Sequence, residues 1–167
     1  MTGAVLAVPE LLLESFARNG RVNAAVLDSL SAADLALEDA PEGNSVEEML
    51  AHMAGFRQGW LVNISPPHAE GLTKVEGDAD LDTLRAAFAS GDAAALKAVQ
   101  DALQEGRVFE NPWKEGAYQS NPAHFLQHTI VHDSHRQGQI ATLLRQHGRT
   151  EEQMDALEEA TQPVWRT

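Results

Sequence analysis

The chain has 167 residues, of which 12 are basic and 25 acidic, giving a formal net charge of −13. A surface this acidic repels phosphate backbones and anionic lipids, so nucleic-acid binding and membrane-surface binding are poor hypotheses. The chain has no cysteine, which excludes thiolate catalysis and is typical of a reducing compartment. Its length suits one domain with a substantial core, and we expect a single domain over residues 1–167.

The N-terminal residues differ from a secretion signal. Residues 1–8 are mostly apolar, but no basic residue precedes them, and Pro9 and Glu10 interrupt the run. No apolar run approaches the roughly 20 residues that a membrane-spanning helix needs. We therefore expect a cytoplasmic protein that binds neither membranes nor nucleic acids.

Helical periodicity first appears between Pro9 and Leu30, and the proline suits a first helical turn. Inward positions recur at spacings of three and four residues, at Leu12, Phe16, Asn19, Asn23, Val26 and Leu30. Two asparagines are unusual in such a line. They predict either that the face opens onto a polar pocket or that the asparagines bond to buried backbone.

A second helix is predicted after the loop at residues 39–44. Ser45 and Glu48 form a capping box at its start, and we expect it to continue to about Ile64, where a serine and two prolines follow. Its apolar face carries Met49, Met53, Phe56 and Trp60. His52 lies on that same face.

Two irregular connections flank a third helical region. Residues 65–79 predict an irregular crossing, and residues 80–105 predict a helix. The Ser-Gly-Asp run at 90–92 should break or kink that helix, because glycine weakens a helix interior and serine or aspartate can cap the next piece. Residues 106–119 predict a second long connection, with the Asn-Pro pair at 111–112 as a turn signal.

A fourth long helix is predicted from near Ser120, with Pro122 in its first turn, to just before Gly148. Thr150 and Gln153 form another capping box, which begins a short last helix. No strand pattern is present. Four long helices joined by long crossover connections predict an all-α four-helix bundle with a short C-terminal helix.

The fourth long helix carries a polar stripe rich in imidazole. Its members recur at spacings of three and four residues, at Phe125, His128, His132, His135, Gln139, Thr142 and Gln146. Imidazoles bind zinc, nickel, copper or iron. His52 is the best facing ligand, so it and two stripe histidines predict a three-nitrogen metal site that leaves positions for water or substrate. Asn19 and Asn23 are expected to line the same cavity.

The stripe also has an interpretation without a ligand. A single histidine on an apolar face, such as His52, is commonly a hydrogen-bonded core residue. Burying several imidazoles without partners would cost about 1–3 kcal/mol each, but a partly exposed stripe needs no further explanation. The spacing alone does not decide between a metal site and an exposed stripe. His68 and His147 resemble loop and helix-end residues, and we assign them no chemistry.

Two segments resemble a known family. They are Ser45-Val-Glu-Glu-Met-Leu-Ala-His52, followed by Trp60, and His132-Asp-Ser-His135-Arg-Gln-Gly138-Gln139, followed by Ile140 and Leu143-Leu144-Arg145. On these motifs the chain resembles, over essentially its whole length, the DinB/YfiT-like family of metal-dependent enzymes. The resemblance implies a four-helix bundle, often dimeric, with zinc or nickel held by one histidine of the second helix and two of the fourth. Some relatives are transferases or isomerases that use a low-molecular-weight thiol.

The third metal ligand departs from the family pattern. His52 and His132 match the family's first two ligands, but the position four residues after His132 is Arg136, which cannot ligate a metal ion. Two substitutes are present. His135 lies at nearly the same height along the helix as Arg136 but is rotated from it by about 100° around the helix axis. His128 lies one turn before His132. We prefer His135 for its height.

Two hypotheses follow from the sequence. The first is a metal-dependent hydrolase or low-molecular-weight-thiol transferase that acts on a small molecule as a homodimer, with zinc or nickel held by His52, His132 and His135, or by His128 in place of His135. The second is a metal-free relative that acts as a small-molecule-binding or interaction module, with Arg136 replacing the third ligand.

Overall fold

The computed structural model describes residues 7–109 and 117–167. The α-helices of these ranges are α1 (Val8–Ser29), α2 (Val46–Ile64), α3 (Pro66–Ala69), α4 (Leu81–Glu105), α5 (Ala123–Gln146) and α6 (Glu151–Thr161). Short 3₁₀ helices cover Asp34–Ala36 and Gln162–Trp165. The described ranges contain no strand, only an isolated bridge between Glu38 and Ser45. The prediction of an all-α fold is confirmed.

The four long helices form a bundle. Each of α1 and α2 packs against both α4 and α5, so α1 and α2 lie on opposite sides of the bundle. The connection between α1 and α2 therefore crosses the bundle, whereas the long connections predicted from the sequence, at residues 65–79 and 106–119, each join two helices that are in contact. The C-terminal helix α6 packs on α1. In the described part of the chain, no helix has the length and apolar character needed to cross a membrane.

Both predicted capping boxes are present. The Ser45 hydroxyl accepts a hydrogen bond from the Glu48 amide at 3.1 Å, and the Glu48 carboxylate accepts one from the Ser45 amide at 2.7 Å. Thr150 and Gln153 make the same exchange at the start of α6. Each cap satisfies amides that the helix itself leaves unpaired, and such a cap is typically worth about 1 kcal/mol.

Of the two predicted alternatives for the third long helix, the break is wrong, because α4 continues without interruption through Gly91, and the kink stays a prediction. The Ser90 hydroxyl donates back to the Ala86 carbonyl oxygen at 2.9 Å, so it does not cap a new helix. A Cβ on Gly91 would lie 3.1 Å from the Cβ of Arg57. Gly91 therefore allows α2 and α4 to approach closely, and the neighbouring Asp92 accepts a hydrogen bond from Arg57 Nε at 2.8 Å.

The predicted connections are partly ordered. The crossing at residues 65–79 contains the short helix α3, and α4 ends at Gly106 in the left-handed conformation, with φ of 63°. The turn predicted at 111–112 lies outside the described residues. The helix predicted from Ser120 begins at Ala123, with Pro122 at its cap.

A buried polar layer divides the hydrophobic core in two. One cluster includes Leu27, Leu50, Met53, Leu84, Phe88, Ile140 and Leu144. The other includes Phe16, Leu61, Ala95, Val99, Phe109, Phe125 and Leu126. Each long helix contributes to the layer at the point where it passes from one cluster to the other, through Asn19 and Asn23, Arg57, Asp92 and Asp133.

Asp133 lies at the centre of this layer and is fully buried. Its carboxylate accepts hydrogen bonds from Arg57 Nη1 at 2.8 Å and Nη2 at 2.6 Å, and from the amides of Asn19 at 2.7 Å and Asn23 at 2.8 Å. Burial acts to raise the pKa of Asp133, but its hydrogen bonds, led by those of Arg57, lower it to about 2. Both interpretations of the α1 asparagines are therefore wrong, since they hold a buried carboxylate from another helix.

Candidate ligand site between α2 and α5

The structure brings His52 of α2 and His132 of α5 together. Their ring centroids are 4.9 Å apart, and the ring planes are inclined by 51°. His52 is exposed, whereas the side chain of His132 is only 17% exposed. The two imidazoles thus form a pair at the surface end of the interface between α2 and α5.

His132 is positioned by aromatic packing. Its ring stacks on Phe56, with centroids 4.2 Å apart and an interplanar angle of 20°. Its Nδ1 is buried, lies 3.7 Å from Asp133 Oδ1, and has no hydrogen-bond partner among the residues that the structure describes. The buried polar layer therefore lies directly behind this ring.

His128 packs around the same phenylalanine but makes different contacts. Its ring meets Phe56 edge-on at 5.1 Å, and its Nδ1 lies 2.6 Å from the hydroxyl of Tyr118. Trp60 is also a neighbour, at a centroid distance of 6.1 Å. Burial raises the pKa of Tyr118, so its hydroxyl stays protonated and can donate to His128. These contacts hold His128 within an aromatic group next to the histidine pair.

His135, the preferred third ligand, is exposed and lines a different cavity. That cavity has a volume of about 430 Å³ and is bordered by Asp39, Met49 and Gln139. The structure therefore does not bring His135 to the pair formed by His52 and His132.

Arg136 is half-buried and lies one turn after His132. Its Nη1 donates a hydrogen bond to Gln139 Oε1 at 2.9 Å. Partial burial and the nearby charges of His132 and Arg136 lower the pKa of His52. Arg136 is therefore close enough to the histidine pair to act on it electrostatically.

Arg136 also differs from the other arginines that are not exposed. Over residues 7–109 and 117–167, no carboxylate lies within ion-pair distance of its guanidinium. The other described arginines that are buried or half-buried each have such a carboxylate: Arg18, Arg57, Arg85 and Arg149. Although the chain has 25 acidic residues, the described ones leave this partly buried cation without a counter-ion.

A cavity of about 540 Å³ opens beside the histidine pair and runs along α2. This volume is typical of small-molecule sites. Its walls come from α2, α5 and the segment before α4, and its lining residues are Ala51, His52, Gly55, Phe56, Gln58, Gly59, Trp60, Lys74, Val75 and His132. Phe56 and Trp60, which the helical pattern assigns to the core, are half-buried and line this cavity.

The residues present do not fit a three-nitrogen metal site. Such a site needs three donors around one ion. Within the described ranges, no three His, Cys, Asp or Glu side chains come close enough together to hold an ion. The guanidinium of Arg136 lies near the pair instead, and its charge repels a cation.

His68 makes a contact that the sequence pattern did not indicate. Its Nδ1 lies 2.7 Å from Ser65 Oγ and its Nε2 2.9 Å from Asp101 Oδ2. Although this is the order of a serine-protease triad, Ser65 is only 4% exposed, so its hydroxyl is closed to substrate. The contact between His68 and Asp101 connects α3 to α4.

Arg57 and Asp133 are the important residues that the sequence patterns did not single out. Arg57 lies four residues after Met53 and four before Leu61, in an otherwise apolar line. A charge in such a line indicates a buried partner, because an unpaired charge is too costly to bury. That signal could have found Arg57, but nothing in the sequence points to Asp133 as its partner.

The fold and the site together define an all-helical bundle with a histidine-lined cavity between its second helix and its fourth long helix. The model of the DinB family matches residues 1–166. The chain therefore belongs to the DinB family. Comparison with curated proteins gives no match.

Proposed function

We propose that this member of the DinB family binds a small anionic ligand in the cavity beside His52, His132 and Arg136. The observation that carries the proposal is the half-buried guanidinium of Arg136, which has no carboxylate partner in the described part of the chain. An anion would supply the missing counter-charge. Guanidinium groups bind carboxylates and phosphates through two parallel hydrogen bonds, which adds geometric specificity to the charge.

The histidine pair supports the same assignment. Partial burial, together with the electrostatic effects of His132 and Arg136, lowers the pKa of His52, so the site disfavours a further positive charge. A bound anion would offset this unfavourable accumulation of positive charge. The remaining surface carries an excess of acidic groups and repels anions, so binding should be confined to this cavity.

Calorimetric titration with phosphate, sulfate and acetate tests the proposal on tag-free protein from which metals have been removed. We expect saturable binding to the unsubstituted protein. In Arg136→Gln the affinity should fall at least about tenfold, which corresponds to the loss of one charge-assisted interaction. Arg145→Gln is the matched control, because Arg145 is an exposed arginine of the same helix. Absence of binding to the unsubstituted protein, or equal losses in both variants, would contradict the proposal.

A second candidate is the metal-dependent enzyme that the family resemblance implies, a hydrolase or a transferase that uses a low-molecular-weight thiol. The distance of 4.9 Å between the rings of His52 and His132 favours it, because two imidazoles this close can reach one ion. A zinc or nickel ion would then need His135 or His128 to move towards the pair.

Metal analysis separates the two candidates. Less than about a tenth of an equivalent of metal after reloading would exclude the enzyme hypothesis, since a ligated ion binds in a fixed ratio. A full equivalent that disappears in His132→Ala would support it and would contradict the anion site. The homodimer implied by the resemblance stays a prediction, which light scattering checks.

A further inference from the structure

Two glycines of α2 face the cavity. Gly55 and Gly59 lie one turn apart inside the helix, and both line the cavity beside His52. Neither has a positive φ. A Cβ on either glycine would meet no atom of the described residues within 4 Å, whereas a Cβ on Gly91 would press against Arg57. Packing therefore explains Gly91, but it does not explain Gly55 or Gly59, although glycine is unfavourable in a helix interior.

The rest of the cavity forms a slot above these glycines. Phe56 and Trp60 each follow one of them, and their ring centroids are 6.1 Å apart. Val75, from the segment before α4, also lines the slot. From His52 to Gly59 the slot is about 10 Å long, since an α-helix rises 1.5 Å per residue. This length matches two fused aromatic rings, and aromatic walls favour a flat occupant.

Arg136, which has no carboxylate partner among the described residues, lies near one end of the slot. His52 and His132 line the end nearer the start of α2, and Trp60 lines the other. Arg136 follows His132 by one turn of α5 and is close enough to His52 to act on it electrostatically. Lys74 also lines the slot, but its side chain is 72% exposed and its ammonium lies 3.8 Å from the Glu76 carboxylate. The charges therefore orient an acidic group towards Arg136 and an apolar body towards Trp60.

We infer that the ligand is an organic acid with a flat apolar body, of the aryl carboxylate class, which lies against the backbone of α2 at Gly55 and Gly59. The inference rests on the proposed function, because Arg136 binds the acidic group. It adds that the two glycines determine specificity by leaving room for the body of the ligand.

The test compares three probes by calorimetry: 2-naphthoate, acetate and the uncharged 2-naphthalenemethanol. We expect 2-naphthoate to bind at least about tenfold more tightly than either of the others, since only it uses both the charge and the slot. In Gly59→Ala the new methyl group enters the slot, so 2-naphthoate should lose at least about fivefold in affinity while acetate is unaffected.

The melting temperature of Gly59→Ala should rise, because alanine favours the helix and its Cβ would meet no atom of the described residues within 4 Å. Gly55→Ala is the second variant and should behave alike. Gly138→Ala is the matched control: it also lies inside a helix with open space at its Cβ, but it does not line this cavity. It should gain stability without losing affinity for 2-naphthoate.

The outcomes separate this inference from the proposed function. If acetate and phosphate bind through Arg136 but 2-naphthoate binds no more tightly than acetate, the inference is overturned and the anion site stands. It is also overturned if Gly55→Ala and Gly59→Ala both bind 2-naphthoate as the unsubstituted protein does. If none of the anions binds, both fail.

Discussion

Arg57 of α2 and Asp133 of α5 form an ion pair at 2.6 Å, and both side chains are fully buried. Each is the direct chain neighbour of a residue of the candidate site, since Phe56 precedes Arg57 and His132 precedes Asp133. The stacked pair of Phe56 and His132 therefore lies on the outer side of the same contact between helices. The buried pair holds the two walls of the site at their observed separation.

Neutralising Asp133 should destabilise the protein strongly. Asp133→Asn leaves the buried guanidinium of Arg57 without its main counter-charge, and we expect a loss of about 3–5 kcal/mol in the free energy of unfolding. Urea denaturation measures it. Asp92→Asn is the control, and it should cost much less, because burial raises the pKa of Asp92 despite the nearby Arg57. Equal losses in the two variants would contradict this account of the layer.

Replacing both members of the pair should recover much of that loss. In Arg57→Met combined with Asp133→Leu no charge is left unpaired, and buried ion pairs can often be exchanged for apolar residues at little cost. The double variant should therefore be more stable than Asp133→Asn alone. A double variant that is less stable than either single one would show that other bonds of the layer, such as those of Asn19 and Asn23, dominate.

Arg136→His should complete a three-histidine metal site, which the described residues do not form. The substitution places an imidazole four residues after His132, at the position where the family resemblance expects the third ligand. We expect zinc or nickel to raise the melting temperature of this variant. At a metal concentration one hundred times Kd, the bound ion should add about 2.7 kcal/mol to the free energy of unfolding. The rise should disappear when His132→Ala is added. Arg145→His is the control and should show no such rise.

Gly91→Ala should destabilise the bundle. A Cβ at this position would lie 3.1 Å from Arg57 Cβ, and Arg57 cannot move aside because its guanidinium is bonded to Asp92, Asp133 and the Met53 carbonyl. We expect a net loss of about 1–2 kcal/mol, the usual cost of overpacking less the helical preference of alanine. Thermal unfolding measures the loss. A gain in stability would show that the interface between α2 and α4 can relax.

The ion pair between Asp34 and Arg149 should make stability depend on acidic pH. Burial acts to raise the pKa of Asp34, but hydrogen bonds from Ser31 and Arg149 outweigh it, so the folded-state pKa lies below the usual value for an aspartate. The stabilisation is therefore complete above about pH 4 and is lost as the pH falls through the folded-state pKa. Between about pH 5 and about pH 2, which spans the titration of this carboxylate, the urea midpoint of Asp34→Asn should change less than that of the unsubstituted protein. An unchanged dependence would contradict the assignment.

Local signals predicted most of the fold. The capping boxes at Ser45 and Thr150 and the periodic apolar faces depend on residues three or four apart, so the sequence shows them directly. The role of Gly91 was missed because it depends on Arg57, which comes from a different helix. Likewise, the asparagines of α1 were visible as an anomaly, but their partner, Asp133, is more than 100 residues away.

The candidate site was predictable only in part, for the same reason. Spacing along α5 placed the stripe histidines on one helix face, but it could not say which of them face His52. That depends on the rotation of α5 against α2, which the buried layer sets. Arg136 was visible as a departure from the family pattern, whereas its lack of a carboxylate partner needed the positions of the other helices.

The polar layer has a consequence for how the bundle assembles. Apolar side chains tolerate many arrangements, and two helices that meet through them alone can slide by one turn, about 5.4 Å, at modest cost. A slide of α5 against α2 would separate Arg57 from Asp133 and break their buried ion pair, which is strongly destabilising. The layer thus selects one register among several that the apolar clusters would permit, and with it the single register in which His52 meets His132.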